Sequence, residues 1–446
     1  MTRFRLRGAT LADRDALITF NADVLRYQDA AQPDQGVGAW TADLLDGRHP
    51  QVGLDDFCLV EDARIGRIAS VLCLISQTWS YGGIPLAVGQ PELVGTHPDF
   101  RGQGHVRRLF RVLHQRSAAR GQQVQAIDGI PGFYQQFGYG MALALHGEMS
   151  IDVGSCPSQA TSQSDRFRVR AATEADLAFI ADTDTRTRSR YLVTVCRDAS
   201  LWHYELDGRS ARSQACVALA VVEAHDGSRV GFLVHTPRLS GTFITLLAYE
   251  IIPSVSWGTV TPSVLRYLRA TGGAYAASGG TRCERIGLCL GSDHPAYATL
   301  QHLTPRDEGA WAWQLRVVDF AALLRHIAPV LQDRLARSDL AGHSGALHLS
   351  FYGDGVRLSV ERGRLTHVTR WRVPLALVGI EKGVPSSAGR ADASFPGHTF
   401  LQLLFGYRTL DELQYAFPDC LIRTPSARPL LMALFPKQPS EIRPVL

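Results

Sequence analysis

The sequence predicts two tandem α/β units, each a mixed central sheet flanked by helices, followed by an α+β domain. Three observations support this: a stretch near the N-terminus returns later in the chain, a strand, a turn and a helix follow one another in residues 92–113, and a hairpin pattern marks the C-terminal part. At 446 residues the chain is too long for one ordinary core. We expect units at residues 1–153, 166–318 and 319–446, with a linker at 154–165.

The repeated stretch opens both α/β units. RFRLRGATLADRDAL from position 3 returns as RFRVRAATEADLAFI from position 166. In each copy an alternating strand precedes a capping box that starts a helix, formed by Thr10 with Asp13 and by Thr173 with Asp176. A match at one offset indicates a duplicated unit of domain size. Between the copies, GSCPSQATSQSD is Ser-rich, polar and without periodicity, which is typical of a linker.

Residues 92–109, ELVGTHPDFRGQGHVRRL, predict a strand, a turn and the start of a helix that runs over 103–118 to a strand at 124–127. The start of a helix offers backbone N–H groups without intrahelical partners and the positive end of the helix dipole, so it predicts an anion site. Gly102 and Gly104 would let a phosphate approach the backbone. Positive charge would come from Arg101, Arg107 and Arg108.

Other phosphate loops do not match this turn. A P-loop requires Lys followed by Ser or Thr after its last glycine, and a dinucleotide fingerprint requires three glycines in the order G-x-G-x-x-G. For this stretch alone, a basic turn on a solvated helix is the simpler interpretation. The pattern nevertheless resembles the pyrophosphate turn of the GNAT acyltransferase superfamily, in which Arg or Gln is followed by x-x-Gly-x-Gly/Ala. Arg101 and Gly104 fit this pattern, whereas Val106 departs from it.

A second signature strengthens this resemblance. Residues 129–140 read GIPGFYQQFGYG, and in GNAT enzymes the corresponding segment ends in a Tyr followed four residues later by Gly and an aromatic. Tyr134, Gly138 and Tyr139 are similar to that pattern. Two motifs in the right order, separated as a strand-helix-strand unit requires, favour the acetyltransferase interpretation over the basic turn.

The resemblance implies acetyl-CoA as the co-substrate. Its pantetheine arm would lie along Val94, Gly95 and Thr96. Its pyrophosphate would lie against the turn and helix start, formed by Arg101, Gly102, Gln103, Gly104, His105, Val106 and Arg107. Gly129 and Ile130, at the start of the second signature, complete the expected cofactor site.

The second unit has strand patterns at 215–222, 230–234, 242–250 and 285–290. At the position of the phosphate turn it reads PSVSWGTVTPSVLRYL, which contains two prolines and no Arg-x-x-Gly, although a helix is still expected at 264–268. We interpret it as a GNAT fold that does not bind CoA and helps to shape the substrate cleft. A purely structural role is the alternative.

The C-terminal part predicts an α+β domain. An amphipathic helix is expected over 320–335, and a hairpin over 347–360 turns at Gly353, Asp354 and Gly355. A short helix at 400–405 should end at Gly406. The sequence FLQLLFGYRTLDEL is similar to the C-terminal domain of the sterol-carrier-like type.

Two GNAT-like units followed by a sterol-carrier-like domain resemble the Eis (enhanced intracellular survival) family of acetyltransferases. The resemblance covers the whole chain and implies acetyl transfer from acetyl-CoA to a primary amine of an aminoglycoside or a lysine side chain, in a protein that is commonly a hexamer. It assigns Tyr134 as general acid. For the general base it implies the carboxylate of Leu446. By position in the sequence, Glu92 on the strand facing the cofactor is a substitute and Asp128 is a third choice. Acidic groups for the amine are expected near Asp29, Asp34 and Trp40.

Composition limits the other possibilities. With 46 basic and 42 acidic residues, the net charge of +4 is too small to indicate nucleic acid or an anionic membrane as the main partner. The opening residues lack the apolar core of a signal peptide, and no apolar run reaches a membrane span, so we expect a cytoplasmic protein. Eight cysteines without a C-x-x-C pair and 15 histidines without metal-site spacing predict no metal.

A binding protein is the alternative to an enzyme. The sterol-carrier-like domain would then hold an apolar ligand, and the GNAT-like units would serve as a scaffold or sense acetyl-CoA. Three features favour this alternative: the departure at Val106, the degenerate second unit and the open choice of base. Release of a thiol from acetyl-CoA separates the two, because a binding protein turns nothing over.

Overall fold

The structure, a computed structural model, describes residues 3–26, 31–158, 166–291, 293–303, 306–372, 380–381, 384–385, 391–396 and 398–446. Two tandem α/β units and a C-terminal α+β part are present, as the sequence predicts. Most of the expected linker, residues 159–165, lies outside the described residues.

The first unit contains six strands and three helices. They are β1 (Phe4–Gly8), α1 (Arg14–Val24), α2 (Gln35–Leu45), β2 (Phe57–Asp62), β3 (Arg67–Tyr81), β4 (Ile84–Thr96), α3 (His105–Ala119), β5 (Val124–Ile127) and β6 (Gly140–Asp152). β3 and β4 form a long hairpin with Trp79 and Leu86 as one of its cross-strand pairs. Helix α3 packs on this hairpin and on β2, so the predicted turn lies between two well-packed elements.

The second unit repeats this beginning and then diverges. Its elements are β7 (Phe167–Ala171), α4 (Leu177–Thr187), β8 (Val193–Val195), α5 (Ala199–His203), β9 (Ala218–Ala224), β10 (Arg229–His235), β11 (Phe243–Ile251), α6 (Trp257–Gly279), β12 (Arg285–Leu288), α7 (Ala296–Leu300) and β13 (Arg306–Val317). Each strand pattern found in the sequence corresponds to one strand here, displaced by no more than a few residues. Helix α6 is much longer than the expected 264–268, because Pro262 lies inside the helix without ending it.

The predicted capping boxes occur in both copies. Asp13 accepts hydrogen bonds from the Thr10 N–H at 2.7 Å and from its hydroxyl at 2.6 Å, and Asp176 does the same for Thr173 at 2.8 and 2.9 Å. In the first copy Arg7 also forms an ion pair with the capping Asp13 at 2.7 Å. The duplicated sequence therefore folds into the same strand, capping box and helix in both units.

One sheet passes through both units. Its strands follow the order β1-β2-β3-β4-β5-β13-β6-β12-β11-β10-β9-β7, and β8 pairs with the far end of β3. β13, the last strand of the second unit, lies between β5 and β6 of the first and is antiparallel to both. β6 then pairs with β12, which connects the halves. Neither unit completes its sheet without strands from the other.

The C-terminal part contains α8 (Phe320–His326), α9 (Ala328–Ala336), β14 (Gly345–Ser350), β15 (Gly355–Glu361), β16 (Arg364–Trp371), β17 (Ile380–Glu381), β18 (Val384–Pro385), β19 (Ala393–Ser394), α10 (Thr399–Leu404), α11 (Leu410–Ala416), β20 (Leu421–Ile422) and α12 (Ala427–Leu434). The expected hairpin is β14 with β15. Gly406 has φ 67°, which suits its expected role after the end of α10.

The single helix expected over 320–335 is wrong. The chain forms two helices that meet at Ile327, which ends α8 and precedes α9. Pro329 lies in the first turn of α9, where its missing N–H costs nothing, whereas inside one long helix it would break a hydrogen bond. Among the helices of the described ranges, none combines the length and the apolar character that a membrane span requires.

The final residues of the chain return to the α/β units. The Leu192 N–H donates to Pro439 O at 2.7 Å, and the Glu441 N–H donates to Val193 O at 2.9 Å. Further on, the buried Glu205 accepts hydrogen bonds from two guanidinium groups, Arg197 at 2.8 Å and Arg443 at 2.7 Å. We call residues 439–446 the C-terminal segment. A buried ion triad therefore fixes it to the second unit.

Replacing Glu205 by Gln is expected to destabilise the fold strongly, because two guanidinium groups then stay buried with one neutral partner. Removing one member of a buried ion pair costs about 3–5 kcal/mol. Although burial alone would raise it, Arg197 and Arg443 lower the pKa of Glu205 to about 2. The stabilisation should thus be complete above about pH 4.5 and should be lost as the pH falls towards 2.

Thermal unfolding at pH 7 measures this effect. Asp182→Asn is the matched control, since it removes one charge from the exposed Arg186 pair on α4, and such pairs contribute little. Equal melting temperatures for the Glu205→Gln and Asp182→Asn variants would contradict the proposed contribution of the buried triad to stability.

Candidate active site

A bulge interrupts β4 in the region that the sequence marks as the start of the site. Between Glu92 and Gly95, β4 contains one residue more than β3, so that Leu93 and Val94 together face Leu72. Leu93 has φ 52°, in the left-handed region that a branched side chain rarely adopts. A bulge releases backbone groups from the ladder, and Val94, one of its two residues, lines the cavity described below.

The strands next to the bulge diverge. β4 runs parallel to β5, but the pairing covers only Val88 with Val124 and Gly89 with Gln125. Beyond these pairs β4 continues to Thr96 past the bulge, while β5 ends at Ile127. A gap thus opens between two neighbouring strands at their C-terminal ends, where open α/β sheets place ligands.

The predicted phosphate turn closes one end of this gap. Gly102 and Gly104 have φ 75° and 73°, and a Cβ added to either would meet nothing within 4 Å, so the turn faces open space. The first described hydrogen bond of α3 runs from the Arg108 N–H to Gly104 O at 3.2 Å. The N–H groups of the preceding helical residues are therefore directed at the opening, as an anion site requires.

A cavity of about 640 Å³ joins the bulge, the turn and the second signature. Every residue predicted to bind the cofactor lines it except Gly129. Its walls are formed by Val24, Leu25, Arg26, Val94, Gly95, Thr96, Phe100, Arg101, Gly102, Gln103, Gly104, His105, Val106, Arg107, Ile130, Phe133, Tyr134, Gln136 and Phe137. We call it the N-terminal cavity. Its size is in the range of small-molecule and cofactor sites.

Gly129 contributes by the space it leaves. A Cβ at this position would lie 2.5 Å from the ring of Tyr134, so only glycine allows the ring to pack there. Tyr134 also contacts Phe110 and Phe133, with ring centroids 5.8 and 5.1 Å apart. In the described part of the chain its hydroxyl makes no hydrogen bond. The ring is therefore held firmly while its hydroxyl remains available to a ligand.

The electrostatic surroundings keep Tyr134 protonated. Burial raises the pKa of its phenol well above the usual value, and the carboxylates of Glu92 and Asp128 add to this. Tyr139, by contrast, is fully buried, with its hydroxyl 3.1 Å from Nε2 of His114. Tyr139 is thus a core residue.

Glu92 has an unusual carboxyl group. Burial, with a smaller contribution from the charge of Asp128, raises the pKa of Glu92 to about 7, even though the side-chain amide of Gln90 donates to its Oε1 at 2.6 Å. A carboxyl with a pKa near neutrality can accept a proton at physiological pH. Glu92, Asp128 and Tyr134 interact electrostatically with one another, so the structure brings together three of the four predicted catalytic candidates.

Leu446, the fourth candidate, lies on another side of this region. Its side chain packs against the core of the first unit that contains Leu93, and its main-chain oxygen accepts from Arg209 at 2.6 Å. Leu446 does not line the N-terminal cavity, and neither do Glu92 and Asp128, so Tyr134 is the one catalytic candidate in its wall. A guanidinium partner stabilises a carboxylate in its charged form and makes it a weaker base.

The residues expected to attract an amine have other roles. Asp34 caps α2, accepting from the N–H groups of Gly36 at 2.9 Å and Val37 at 3.1 Å, which occupies Oδ1. Trp40 is buried in the core of the first unit. Asp29 lies outside the described residues. Asp34 and Trp40 are therefore structural, and neither lines the N-terminal cavity.

Several residues of the site were not found by sequence reasoning. The end of α1, at Val24 and Leu25, closes the cavity over Gly95, where a Cβ would meet Val24 at 3.0 Å. Gln136 accepts a hydrogen bond from Arg107 at 2.7 Å and links the second signature to the phosphate turn. Gln136 follows Tyr134 within the recognised motif, and this proximity was the available signal.

The second unit has no equivalent cradle. Helix α6 starts at Trp257 directly after Ser256, and the preceding residues contain no left-handed pair of glycines. Glu250, near the end of β11, forms an ion pair with Arg190 instead of lining an opening. The described residues also contain no group of three or more His, Cys, Asp or Glu side chains that could hold a metal ion.

Comparison with known proteins agrees with this geometry. Residues 5–142 match the family model described as an acetyltransferase (GNAT) domain. No curated protein matches the sequence.

Solved structures share the fold over the whole chain. A GCN5-related N-acetyltransferase from Anabaena variabilis has 15% identity and a TM-score of 0.65, with 99% of each chain covered. A probable N-acyltransferase from Enterococcus faecalis has 13% identity and a TM-score of 0.67, covering 99% of this chain and 100% of that one. Eis1 from Mycobacterium abscessus has 16% identity and a TM-score of 0.61, with 99% of each chain covered. The bulge, the turn and the family match lead to one conclusion: residues 5–142 form a GNAT acetyltransferase domain, and the protein is an acyltransferase.

Proposed function

We propose that the protein is an acetyl-CoA-dependent N-acetyltransferase of the Eis type, which transfers an acetyl group to a primary amine of a polyamine-type acceptor, such as an aminoglycoside or a lysine side chain. One observation carries the proposal. A single cavity joins a phosphate cradle at Gly102 and Gly104 to a backbone bulge at Val94 and to the hydroxyl-bearing ring of Tyr134. By the same resemblance we expect a hexamer whose C-terminal part is sterol-carrier-like, and we keep the expectation of a cytoplasmic location that the sequence pattern gives.

The residues present fit acetyl-CoA. The turn has two left-handed glycines with open space above them, unpaired helical N–H groups, and the guanidinium groups of Arg101 and Arg107 beside it. His105 is buried at the helix start, with both ring nitrogens lacking partners among the described residues. Unsatisfied donors around an open turn support a ligand that brings its own acceptors. Acetyl-CoA would supply an activated acyl carbonyl and a thiol leaving group.

Three parts of the chain would carry the reaction. Glu92 would take the proton from the amine as its nitrogen attacks the carbonyl carbon. The backbone N–H of Val94, at the bulge, would stabilise the charge that develops on the carbonyl oxygen. As the carbon–sulfur bond breaks, Tyr134 would give its proton to the sulfur. The new bond joins nitrogen to the acetyl carbon as the carbon–sulfur bond breaks. The amine proton taken by Glu92 would then pass through water to the Tyr134 phenolate, which restores both groups.

Glu92 is the base that the surroundings favour. Its pKa is raised to about 7, chiefly by burial. The Leu446 oxygen is already bound by Arg209 at 2.6 Å. We therefore propose Glu92 as the base and assign Asp128 the role of raising its pKa, and we keep Leu446 as a testable alternative.

Release of CoA thiol from acetyl-CoA tests the function. The acceptors would be an aminoglycoside, a linear polyamine and a lysine-containing peptide, each compared with its acetylated form as a matched control. Release that depends on a free amine, with a mass gain of one acetyl group per transfer, supports the proposal. A protein that binds acetyl-CoA but releases no thiol with any of these acceptors would overturn it.

Replacing Gly104 by Glu is expected to weaken acetyl-CoA binding at least tenfold, because it places a carboxylate in the phosphate cradle and a side chain at φ 73°. Gly227→Glu is the matched control, since Gly227 has φ 80° and equally open surroundings, in the turn between β9 and β10. Isothermal calorimetry measures both affinities. If the two variants bind acetyl-CoA equally well, the cradle is not the phosphate site.

A further inference from the structure

Two buried glutamines connect Glu92 to the C-terminal segment. Gln77 on β3 and Gln90 on β4 are 4% and 0% exposed. The amide nitrogen of Gln77 donates both to Oε1 of Gln90 and to the main-chain oxygen of Val445, the latter at 3.3 Å. The amide nitrogen of Gln90 then donates to Oε1 of Glu92 at 2.6 Å. The hydrogen bonds therefore form an unbroken series from the C-terminal segment to the candidate base.

Two groups that can play only one hydrogen-bonding role fix the direction of this series. The indole N–H of Trp79 can only donate, and it donates to Oε1 of Gln77 at 2.9 Å. Val445 O can only accept, so it too requires the nitrogen of Gln77 on its side. Because Trp79 fixes the oxygen of Gln77 and Val445 fixes its nitrogen, this nitrogen must donate to the oxygen of Gln90. The nitrogen of Gln90 is then left to face Glu92.

We propose that Gln77 and Gln90 are positioning residues for the acetyl transfer, which orient Glu92 and stabilise its carboxylate, and that the C-terminal segment sets their orientation. The Glu92 carboxylate accepts from the Gln90 amide and from the Leu93 N–H, and its remaining lone pairs can receive the proton of the amine. This inference rests on the proposed role of Glu92 as base. It assigns roles to groups outside the N-terminal cavity.

The other groups near Glu92 cannot replace this amide. Asp128, after β5, disfavours the charge on Glu92, and Tyr134 is neutral. Cys73, opposite Glu92 on β3, is a buried thiol whose pKa is raised by burial. Apart from the Leu93 N–H, the Gln90 amide is the group that favours the ionised form of Glu92.

The second unit holds the C-terminal segment in place. Arg197 donates to Arg443 O at 2.6 Å and to Pro444 O at 3.1 Å, and Arg209 donates to Leu446 O at 2.6 Å. Both arginines belong to the second unit, and their contacts lie on either side of Val445, which is fully buried. The unit without a phosphate cradle therefore holds the segment that orients the base of the other unit.

Titration of Glu92 tests the inference without requiring turnover. In protein with ¹³C-labelled glutamate carboxyls, the Glu92 signal is assigned by its loss in Glu92→Gln. Gln90→Met conserves volume but cannot donate, and we expect it to raise the midpoint by about one pH unit, a tenfold change in proton affinity. Gln77→Met frees Gln90 to turn and should shift the midpoint in the same direction by less.

Gln125→Met is the matched control. Gln125 is another fully buried glutamine, on the neighbouring β5, and it donates to Ser117 at 2.7 Å without contacting Glu92. It should cost stability while leaving the Glu92 midpoint unchanged. A chain ending at Pro444 should raise the midpoint as Gln90→Met does, and combining both changes should add little, because they break one series.

Identical Glu92 midpoints in wild type, Gln90→Met and Gln125→Met would overturn the inference, even if Glu92 proves to be the base. Conversely, a shifted midpoint in a protein without acetyltransferase activity would leave the hydrogen-bonded series in place and refute the proposed function. In an active enzyme, the acid limb of kcat/KM should move with the midpoint while the affinity for acetyl-CoA stays constant. A loss of activity that is equal at all pH values would indicate a merely structural role.

Discussion

Glu92→Gln is expected to lower kcat/KM by about 10²–10⁴, the usual contribution of a general base. The substitution keeps the shape of the side chain and removes its ability to take a proton. In the wild type, activity should rise with pH through about 7, because burial raises the pKa of Glu92 to that value and only the ionised form accepts a proton. Steady-state kinetics between pH 5.5 and 9 would show this limb, and the variant should lack it.

Asp128→Asn separates the candidate bases. It removes a like charge near Glu92, so the limb should move to lower pH while most of the activity remains. If Asp128→Asn abolishes turnover while Glu92→Gln retains it, then Asp128 is the base. If both variants remain fully active, neither carboxylate serves, and the Leu446 oxygen held by Arg209 becomes the group to test.

Tyr134→Phe is expected to lower kcat about 10²-fold with little change in acetyl-CoA affinity, since the ring contacts with Phe110 and Phe133 remain and only the proton donor is lost. The loss should shrink at alkaline pH, where a thiol with an ordinary pKa of about 8.5 leaves as its anion without needing a proton. Stopped-flow or steady-state thiol release across the pH range would measure it.

Tyr139→Phe is the control for this prediction. It also removes a phenol hydroxyl from the aromatic group around Phe110, but this hydroxyl is bonded to His114 and not directed at the cavity. Its expected effect is a loss of stability of about 1 kcal/mol with turnover retained. Equal rates for wild type and Tyr134→Phe would remove Tyr134 from the mechanism.

Local sequence patterns were sufficient to predict the elements that depend only on neighbouring residues. The strand, turn and helix around Gly104 follow from apolar spacing and glycine placement, and α3 and β5 occur where these patterns predict them. The two capping boxes need only a Thr and an Asp three residues apart. Eleven of the twelve cofactor candidates line the N-terminal cavity for the same reason, because the motif is one continuous stretch.

Features that depend on distant partners could not be predicted. The bulge at Leu93 is defined by register against β3, which a single strand sequence does not reveal. The glutamine series needs Val445, far along the chain, to orient Gln77. The break at Ile327 is different, because Pro329 is a local signal for the start of a new helix.

The position of β13 between β5 and β6 bears on how the protein is made. A ribosome produces the two flanking strands, then the rest of the second unit, and only afterwards β13, which fills the space between them. At ordinary elongation speeds this delay is on the order of ten seconds. During that time the nascent first unit exposes unpaired strand edges, which are templates for aggregation. Correct folding of this enzyme during synthesis should therefore depend on a chaperone that binds the exposed strand edges until Val317 has left the exit tunnel.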